Sequence, residues 1–205
     1  MRINKKKFIY LISPNKIINN NFYEDLIKVF KSKKVGFFQL RLKNTKMKNL
    51  VLIGKKVKKI CKKFNVKFII NDNPFLAKNL NADGCHLGQN DMDISKARTI
   101  LKNKIIGITC HNSIKLAKDA INNNADYLAF GAFFISKTKK TRFHAKINIL
   151  HSINKITRTP LVAIGGINSK NYKKLLLNKA NFLAISGYIW NNKKYKPSEA
   201  IKRIK

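Results

Sequence analysis

Eight short apolar runs alternate with eight helix-like stretches along 205 residues, and this alternation predicts an α/β chain folded as one compact (β/α)8 (TIM) barrel spanning residues 1–205. Two further observations support it. Asn81-Ala82-Asp83-Gly84, Asn124-Ala125-Asp126-Tyr127 and Lys179-Ala180-Asn181-Phe182 repeat one turn chemistry where a helix gives way to a strand. The first βα junction lacks a glycine-rich dinucleotide loop, which weakens the rival, a doubly wound open sheet. At about 26 residues per unit the barrel has short loops and little decoration.

The first strand, residues 8–12, is Phe8-Ile9-Tyr10-Leu11-Ile12, ended by Ser13-Pro14. Residues 21–33 carry Phe22, Leu26, Ile27, Val29 and Phe30 at helical spacing. Gly36 ends that helix. The second strand, residues 37–43, alternates strictly, with Phe38, Leu40 and Leu42 on one face and Gln39, Arg41 and Lys43 on the other. Taken alone, the charged face belongs to a half-exposed strand. In a closed barrel it lines a cavity whose occupant is anionic, because unpaired buried charge is costly.

Residues 45–63 are helical, with Leu50, Ile53, Val57 and Ile60 on one stripe. Strand three, residues 67–72, ends in Asn71-Asp72, and Pro74 opens a short helix to Leu80. Strand four is Gly84-Cys85-His86-Leu87-Gly88, followed by the loop Gln89-Asn90-Asp91 and a helix over 94–101 that Asp93 can cap. A strand over 105–110, a helix over 113–122 and a strand over 127–134 follow. A basic loop, Ser136-Lys137-Thr138-Lys139-Lys140, leads to a helix over 147–156. Strand seven, 160–166, runs into Gly165-Gly166; a helix over 169–178, a last strand over 182–189 and a helix over 198–204 complete the chain.

Lys and Arg number 44 against 9 Asp and Glu, a net charge of +35. The lysines are scattered, and Asn and Ile are also abundant, as an AT-biased coding sequence produces. No arginine-rich tail or nucleic-acid module is present, so no specific nucleic-acid partner is expected; the charge instead draws in anionic small molecules. Cys61, Cys85 and Cys110 form no CxxC, which fits a reducing cytoplasm without disulfides or a zinc site. No apolar stretch approaches a membrane span.

The working site of such a barrel lies at the C-terminal ends of its strands. There the chain order places Gln39, Arg41 and Lys43, then Asn71 and Asp72, Asp91, Thr109, Cys110 and His111, then Ser136, Thr138 and Lys139, then Gly165 and Gly166, and Ser186 and Gly187. Arg41, Lys43 and Lys139, with Gln39 and Asn71, can grip a large anion such as pyrophosphate. Asp72 and Asp91 are hard oxygen ligands suited to Mg²⁺. The glycine pair and Ser186 suit a phosphomonoester. Each has an ordinary reading too. Asp72 could pair with Arg41, Asp91 could close a loop, Gly165-Gly166 could be a tight turn, and the lysines could be surface charge. Jointly, in strand order, they point to two phosphorylated ligands with a metal between.

These segments resemble the thiamine-phosphate synthase (thiamine-phosphate pyrophosphorylase) family. The likeness rests on Gln39-Leu40-Arg41-Leu42-Lys43, Ile70-Asn71-Asp72, the run from Ala82 through His86-Leu87-Gly88-Gln89-Asn90-Asp91, Gly107-Ile108-Thr109-Cys110-His111-Asn112, Ala125-Asp126-Tyr127 through Gly131, Thr138-Lys139, Ala163-Ile164-Gly165-Gly166-Ile167 and Ala184-Ile185-Ser186. The resemblance implies a transferase that joins 4-amino-5-hydroxymethyl-2-methylpyrimidine pyrophosphate to 4-methyl-5-(2-phosphoethyl)thiazole. It implies that Asp72 and Asp91 bind Mg²⁺. It implies that Gln39, Arg41, Lys43, Asn71, Thr109 and Lys139 hold the pyrimidine pyrophosphate, with Arg41, Lys43 and Lys139 stabilising the departing pyrophosphate. Ser136, Thr138, Gly166, Ile185 and Ser186 would hold the thiazole phosphate. The attacking thiazole nitrogen needs no deprotonation, so no general base is required, and His86 and His111 are read as structural or as supporting the residues that touch the ligand, rather than as proton shuttles.

Three departures stand out. The loop after strand six has Ser136 and lacks the family's stiffening prolines, Thr109 replaces the usual serine, and residues 141–146 lack the usual glycine-leucine stretch. Two alternatives remain open: a related thiazole tautomerase with His111 as its acid/base, and a non-enzymatic basic nucleic-acid binder. Asp72 and Asp91 discriminate against both.

Overall fold

The computed structural model describes residues 7–17, 21–136 and 142–205. Each strand pairs in parallel with the next, and the eighth returns to the first, closing a barrel in chain order. The elements are β1 (Ile9–Ile12), α1 (Asn21–Phe30), β2 (Val35–Leu40), α2 (Met47–Lys63), β3 (Lys67–Asn71), α3 (Pro74–Asn79), β4 (Gly84–Leu87), α4 (Ile94–Leu101) and β5 (Ile105–His111). They continue as α5 (Ile114–Asn122), β6 (Tyr127–Phe130), α6 (Asn148–Ile156), β7 (Leu161–Ile164), α7 (Tyr172–Leu177), β8 (Phe182–Ile185), α8 (Gly187–Trp190) and α9 (Pro197–Lys202).

Strand alternation divides the core into two shells. Tyr10, Ile12, Phe37, Ile69, Tyr127, Ala129, Val162, Phe182 and Ala184 fill the barrel. Their neighbours, such as Leu11, Phe38, Leu40, Phe68, Ile70, Cys85 and Leu87, point outward against the helices. Strand β2 therefore turns its faces as its alternation requires: Phe38 and Leu40 meet helices, while Phe37 and Gln39 face inward. The inner shell is rich in aromatic contacts. Tyr10 stacks on Phe37 at 5.3 Å between centroids and meets Tyr127 edge-on at 5.6 Å. Gly107 makes room for this, since a Cβ there would fall within the Tyr127 ring.

The repeated turn segments have one job. Asp83, Asp126 and Asn181 sit just before β4, β6 and β8. Each side chain accepts from the backbone N–H of a residue on or beside the preceding strand: Phe68 at 2.9 Å, Ile106 at 2.8 Å and Leu161 at 2.7 Å. Each backbone N–H returns a bond to the carbonyl of that same residue. Two residues earlier, Asn81, Asn124 and Lys179 take positive φ to leave the helix. The device extends the ladder at the bottom of the barrel, so two of the scarce acids are structural.

Gly36, read as the end of the first helix, lies inside β2, since α1 already stops at Phe30, and α7 begins at Tyr172 rather than 169. Four strands end two or more residues before the sequence expectation. Strand β2 stops at Leu40 rather than reaching Lys43, because the N–H groups of Arg41 and Lys43 turn to Ser13 and Asn15 in the loop after β1. Strand β6 stops at Phe130, where Ala132 begins to exchange bonds with Phe143 and Ala145. Strand β7 stops at Ile164, because Gly165 (φ +101) and Gly166 (φ +62) turn the chain. Strand β8 ends at Ile185 rather than running to residue 189, since the Ser186 carbonyl accepts from Ile189 and Trp190 and coils the chain into α8.

Gly107→Ala should destabilise the fold by about 1–3 kcal/mol in urea unfolding, since the Tyr127 ring has no free space to move into. Unchanged stability would show that the glycine is not there to seat the ring.

Candidate active site

At the C-terminal rim, three strands are tied together by Ser13. It is 1% exposed. Its N–H donates to the Gln39 carbonyl at 2.9 Å. Its hydroxyl accepts from the Arg41 N–H at 2.9 Å and lies 3.1 Å from the Arg41 carbonyl. Its carbonyl accepts from the Ser186 hydroxyl at 3.0 Å, and the neighbouring Ile12 carbonyl accepts from Trp190 Nε1 at 2.7 Å. The ends of β1, β2 and β8 are thus one hydrogen-bonded unit. Arg41 leaves it with a guanidinium nitrogen 3.4 Å from Asn15 Oδ1, and the Lys43 N–H meets the Asn15 carbonyl at 3.3 Å. Sequence reasoning named Arg41 and Lys43 but missed Ser13 and Asn15. The available signal was a hydroxyl and a proline ending an apolar strand.

The two carboxylates come from neighbouring elements. Asn71 ends β3 and pairs in register with His86. Asp72 follows at φ +63, its N–H donating to the His86 carbonyl at 2.8 Å. Asp91 lies in the loop after β4, where one carboxylate oxygen accepts from the Gly88 N–H at 2.7 Å. The turn reading of Asp91 therefore holds for one oxygen, leaving the other for a ligand. Both residues bond to the backbone at the end of β4, Asp72 to the His86 carbonyl and Asp91 to the Gly88 N–H; burial pushes the Cys85 thiol up, and the charges of Asp72 and Asp91 push it further. Among the described residues, ion pairs join Lys67 to Asp83 at 3.1 Å and Arg98 to Asp126 at 2.7 Å, and none joins Asp72 to Arg41.

Beneath the rim, polar side chains form a line across the apolar interior. Gln39, 3% exposed, points Nε2 at the Tyr10 hydroxyl, 3.3 Å away. The Tyr10 and Tyr127 hydroxyls are 2.7 Å apart. Tyr127 lies 2.9 Å from His86 Nδ1, and His86 Nε2 lies 2.9 Å from the Thr109 hydroxyl. The His86 ring also stacks on Tyr127 at 5.6 Å. Burial drives both phenols upward from their ordinary range, so they keep their protons. The line joins Gln39 to Thr109, two residues the sequence placed on one ligand without any link between them.

On the opposite side of the rim, Gly165 and Gly166 follow β7. A Cβ on Gly166 would strike the carbonyls of Ile135 and Phe134. Asn171 and Asn168 donate to the Gly166 carbonyl at 3.0 and 3.3 Å. The Ile185 side chain is buried in the outer shell, so only its backbone faces the rim. The Ser186 hydroxyl gives its proton to Ser13. Ser136 is half-buried where the next loop begins. Thr138 and Lys139 lie outside the described residues. His111, at φ +51, stacks on Phe143 with centroids 4.0 Å apart, and Asn112 Nδ2 donates to the His144 carbonyl at 3.2 Å. Phe143, within the segment that lacks the usual glycine-leucine stretch, thereby walls the end of β5.

A family model described as thiamine monophosphate synthase matches residues 9–189. The chain belongs to that family. A thiamine-phosphate synthase from Pelagibacter ubique is 69% identical over 207 residues, covering 100% of both chains. One from Erythrobacter litoralis is 38% identical, covering 89% of this chain and 88% of its own. A solved thiamine phosphate pyrophosphorylase from Pyrococcus furiosus superposes with a TM-score of 0.85 at 26% identity, over 98% of this chain and 94% of its own. A 3-hexulose-6-phosphate synthase from Salmonella typhimurium shares the fold, with a TM-score of 0.68 at 15% identity over 96% of each chain. Membership in the thiamine monophosphate synthase family makes this barrel an enzyme, a transferase of thiamine biosynthesis.

Ser13→Ala should cost about 1 kcal/mol of stability, the scale of one buried hydrogen bond. In chemical unfolding the variant should remain cooperative. Wild-type stability would mean that the Ser13 hydroxyl is not the clasp described.

Proposed function

We propose that this member of the thiamine monophosphate synthase family joins 4-amino-5-hydroxymethyl-2-methylpyrimidine pyrophosphate to 4-methyl-5-(2-phosphoethyl)thiazole, giving thiamine phosphate and pyrophosphate. The observation that carries this reading is the division of one rim. Arg41 is held by Ser13 beside Gln39 on one side, Asp72 and Asp91 bond to the His86 and Gly88 backbone at the end of β4, and the positive-φ glycine pair lies opposite.

The residues fit a magnesium ion. Among the described residues no group of three or more His, Cys, Asp or Glu side chains gathers for a metal. Two carboxylates are what Mg²⁺ typically takes from a protein, substrate phosphates and water supplying the rest. Asp72 and the open oxygen of Asp91 would hold it. When bound, the ion neutralises charge on the phosphate oxygens of the leaving group. Arg41 and Lys43 act on the same charge, and fixed cations stabilise a departing pyrophosphate better than mobile water does. Lys139 joins them in this proposal. Breaking the CH₂–O bond leaves a cation that the electron-rich aminopyrimidine carries, and the thiazole nitrogen attacks it with its own lone pair. No side chain has to remove a proton.

Thr109 and Asn71 flank the pyrimidine pyrophosphate in this reading, with Gln39 offering Oε1 because its Nε2 faces Tyr10. The backbone at Gly166, Ile185 and Ser186, with Ser136 and Thr138, takes the thiazole phosphate. The tautomerase alternative has no use for two carboxylates at the end of β4. No helix among the described residues is long and apolar enough to cross a membrane. The small-molecule substrates and the three buried free thiols fit a cytoplasmic enzyme.

The test is a coupled assay of pyrophosphate release with both substrates and Mg²⁺. Thiamine phosphate should form and a chelator should stop it. Arg41→Ala should lower kcat/KM about 100-fold, near 2.7 kcal/mol of lost transition-state stabilisation. Absence of coupling by the folded protein would overturn the proposal, and an Asp72→Asn variant of wild-type rate would overturn the metal assignment.

A further inference from the structure

We propose that the buried line Gln39–Tyr10–Tyr127–His86–Thr109 is a one-way hydrogen-bond relay. It holds His86 as the Nε2–H tautomer and makes the Thr109 hydroxyl a proton donor toward the pyrophosphate-bearing ligand. Tyr10, Tyr127 and His86 are then positioning residues, acting on the ligand through Thr109. The identity of that ligand rests on the function proposed above; the direction of the relay does not.

The direction follows from proton counting along the line. An amide nitrogen only donates, so Gln39 Nε2 gives a proton to the Tyr10 oxygen. Tyr10 must pass its own proton to its other partner, the Tyr127 oxygen 2.7 Å away. Tyr127, having accepted, gives its proton to His86 Nδ1. A ring nitrogen that accepts carries no proton, so the neutral imidazole holds its hydrogen on Nε2 and donates to Thr109. The Thr109 hydroxyl has then accepted at its inner side, and its own proton is available to a third group.

The opposite direction fails at its first step, since Gln39 Nε2 cannot accept. A charged imidazolium fails as well. Its Nδ1–H would force the Tyr127 proton back onto Tyr10, and the Tyr10 proton would have no acceptor. The surroundings make such a loss costly, because Phe37, Ile69, Val162 and Phe182 line the same interior. Both phenols stay protonated under burial, so neither can end the line as an anion.

The consequence at the rim is a sign. Phosphate oxygens only accept. A Thr109 proton turned inward to His86 would present lone pairs to them and repel; a proton turned outward attracts. Three side chains that do not touch the ligand, Tyr10, Tyr127 and His86, thus decide whether Thr109 helps to hold it. The threonine that replaces the usual serine also has its rotation limited by its methyl group, which suits a hydroxyl with one fixed role.

The direct test is ¹⁵N NMR of ligand-free protein labelled at histidine, with the His86 signals assigned by their loss in His86→Asn. A pyridine-type Nδ1 and a pyrrole-type Nε2 at neutral pH are expected. The Nδ1–H tautomer, or an imidazolium, would overturn the relay. Tyr127→Phe keeps the ring and removes the middle link. It should mix the two tautomers and weaken Mg²⁺-pyrophosphate binding about 10-fold, with Thr109→Val weakening it as much and the double variant no further. A circular-dichroism melt confirms that each variant is folded, and the wild-type spectrum alone decides the tautomer if Tyr127→Phe does not fold. Wild-type affinity in folded Tyr127→Phe beside weakened Thr109→Val would overturn the action of the relay on Thr109. The coupling assay reports separately on the enzyme reaction, so failure of that reading is distinguishable from failure of the relay.

Discussion

Closure of the sheet is the constraint from which the rest follows. Once β8 pairs with β1, no strand edge remains, and each strand must satisfy an inner and an outer neighbour at once. The inner face has to be filled by side chains rather than water, which is why rings from Tyr10, Phe37, Tyr127 and Phe182 crowd it. It also brings the C-terminal ends of all eight strands to one rim. Groups separated by most of the chain can therefore meet there without long loops.

Much of this architecture was legible in the sequence because it depends on period and repetition. Alternation in β2 told which residues turn inward, and the Asp83, Asp126 and Asn181 segments marked strand entries by their chemistry. Strand ends were less legible. They depend on where a backbone N–H finds a better partner than the ladder, as Arg41 does in Ser13 and as the chain after Ile185 does in its own helical turn. No local pattern in residues 37–43 carries that information, since Ser13 and Asn15 lie elsewhere in the chain; after Ile185 the competing turn is local, but Tyr188 and Ile189 read equally well as strand residues.

The candidate site divides in the same way. Arg41, Asp72, Asp91 and the glycine pair stand out by residue type against their position. Ser13 and Asn15 do not, because their importance comes from contacts with the ends of other strands, Ser13 with Arg41 and Ser186 and Asn15 with Arg41 and Lys43. The interior line was hidden for another reason. Tyr10, Tyr127 and His86 read as ordinary strand residues, and only the registers of β1, β4 and β6 bring their polar atoms together. The charge reads differently with the fold in view. Both ion pairs among the described residues use acids at the bottom of the barrel. Neither pair uses Asp72 or Asp91, the two acids at the rim.

The Ser13 clasp has a consequence for how the chain is made. Ser13 leaves the ribosome well before Ser186 and Trp190; the contacts span 173 and 178 residues. Until the last strand is released, the carbonyls of Ile12 and Ser13 have no partner from β8, and the β1 edge stands open. The rim on that side is therefore assembled last. Growing chains halted before residue 186 would carry an unsealed barrel, a natural substrate for chaperones that recognise exposed strand edges.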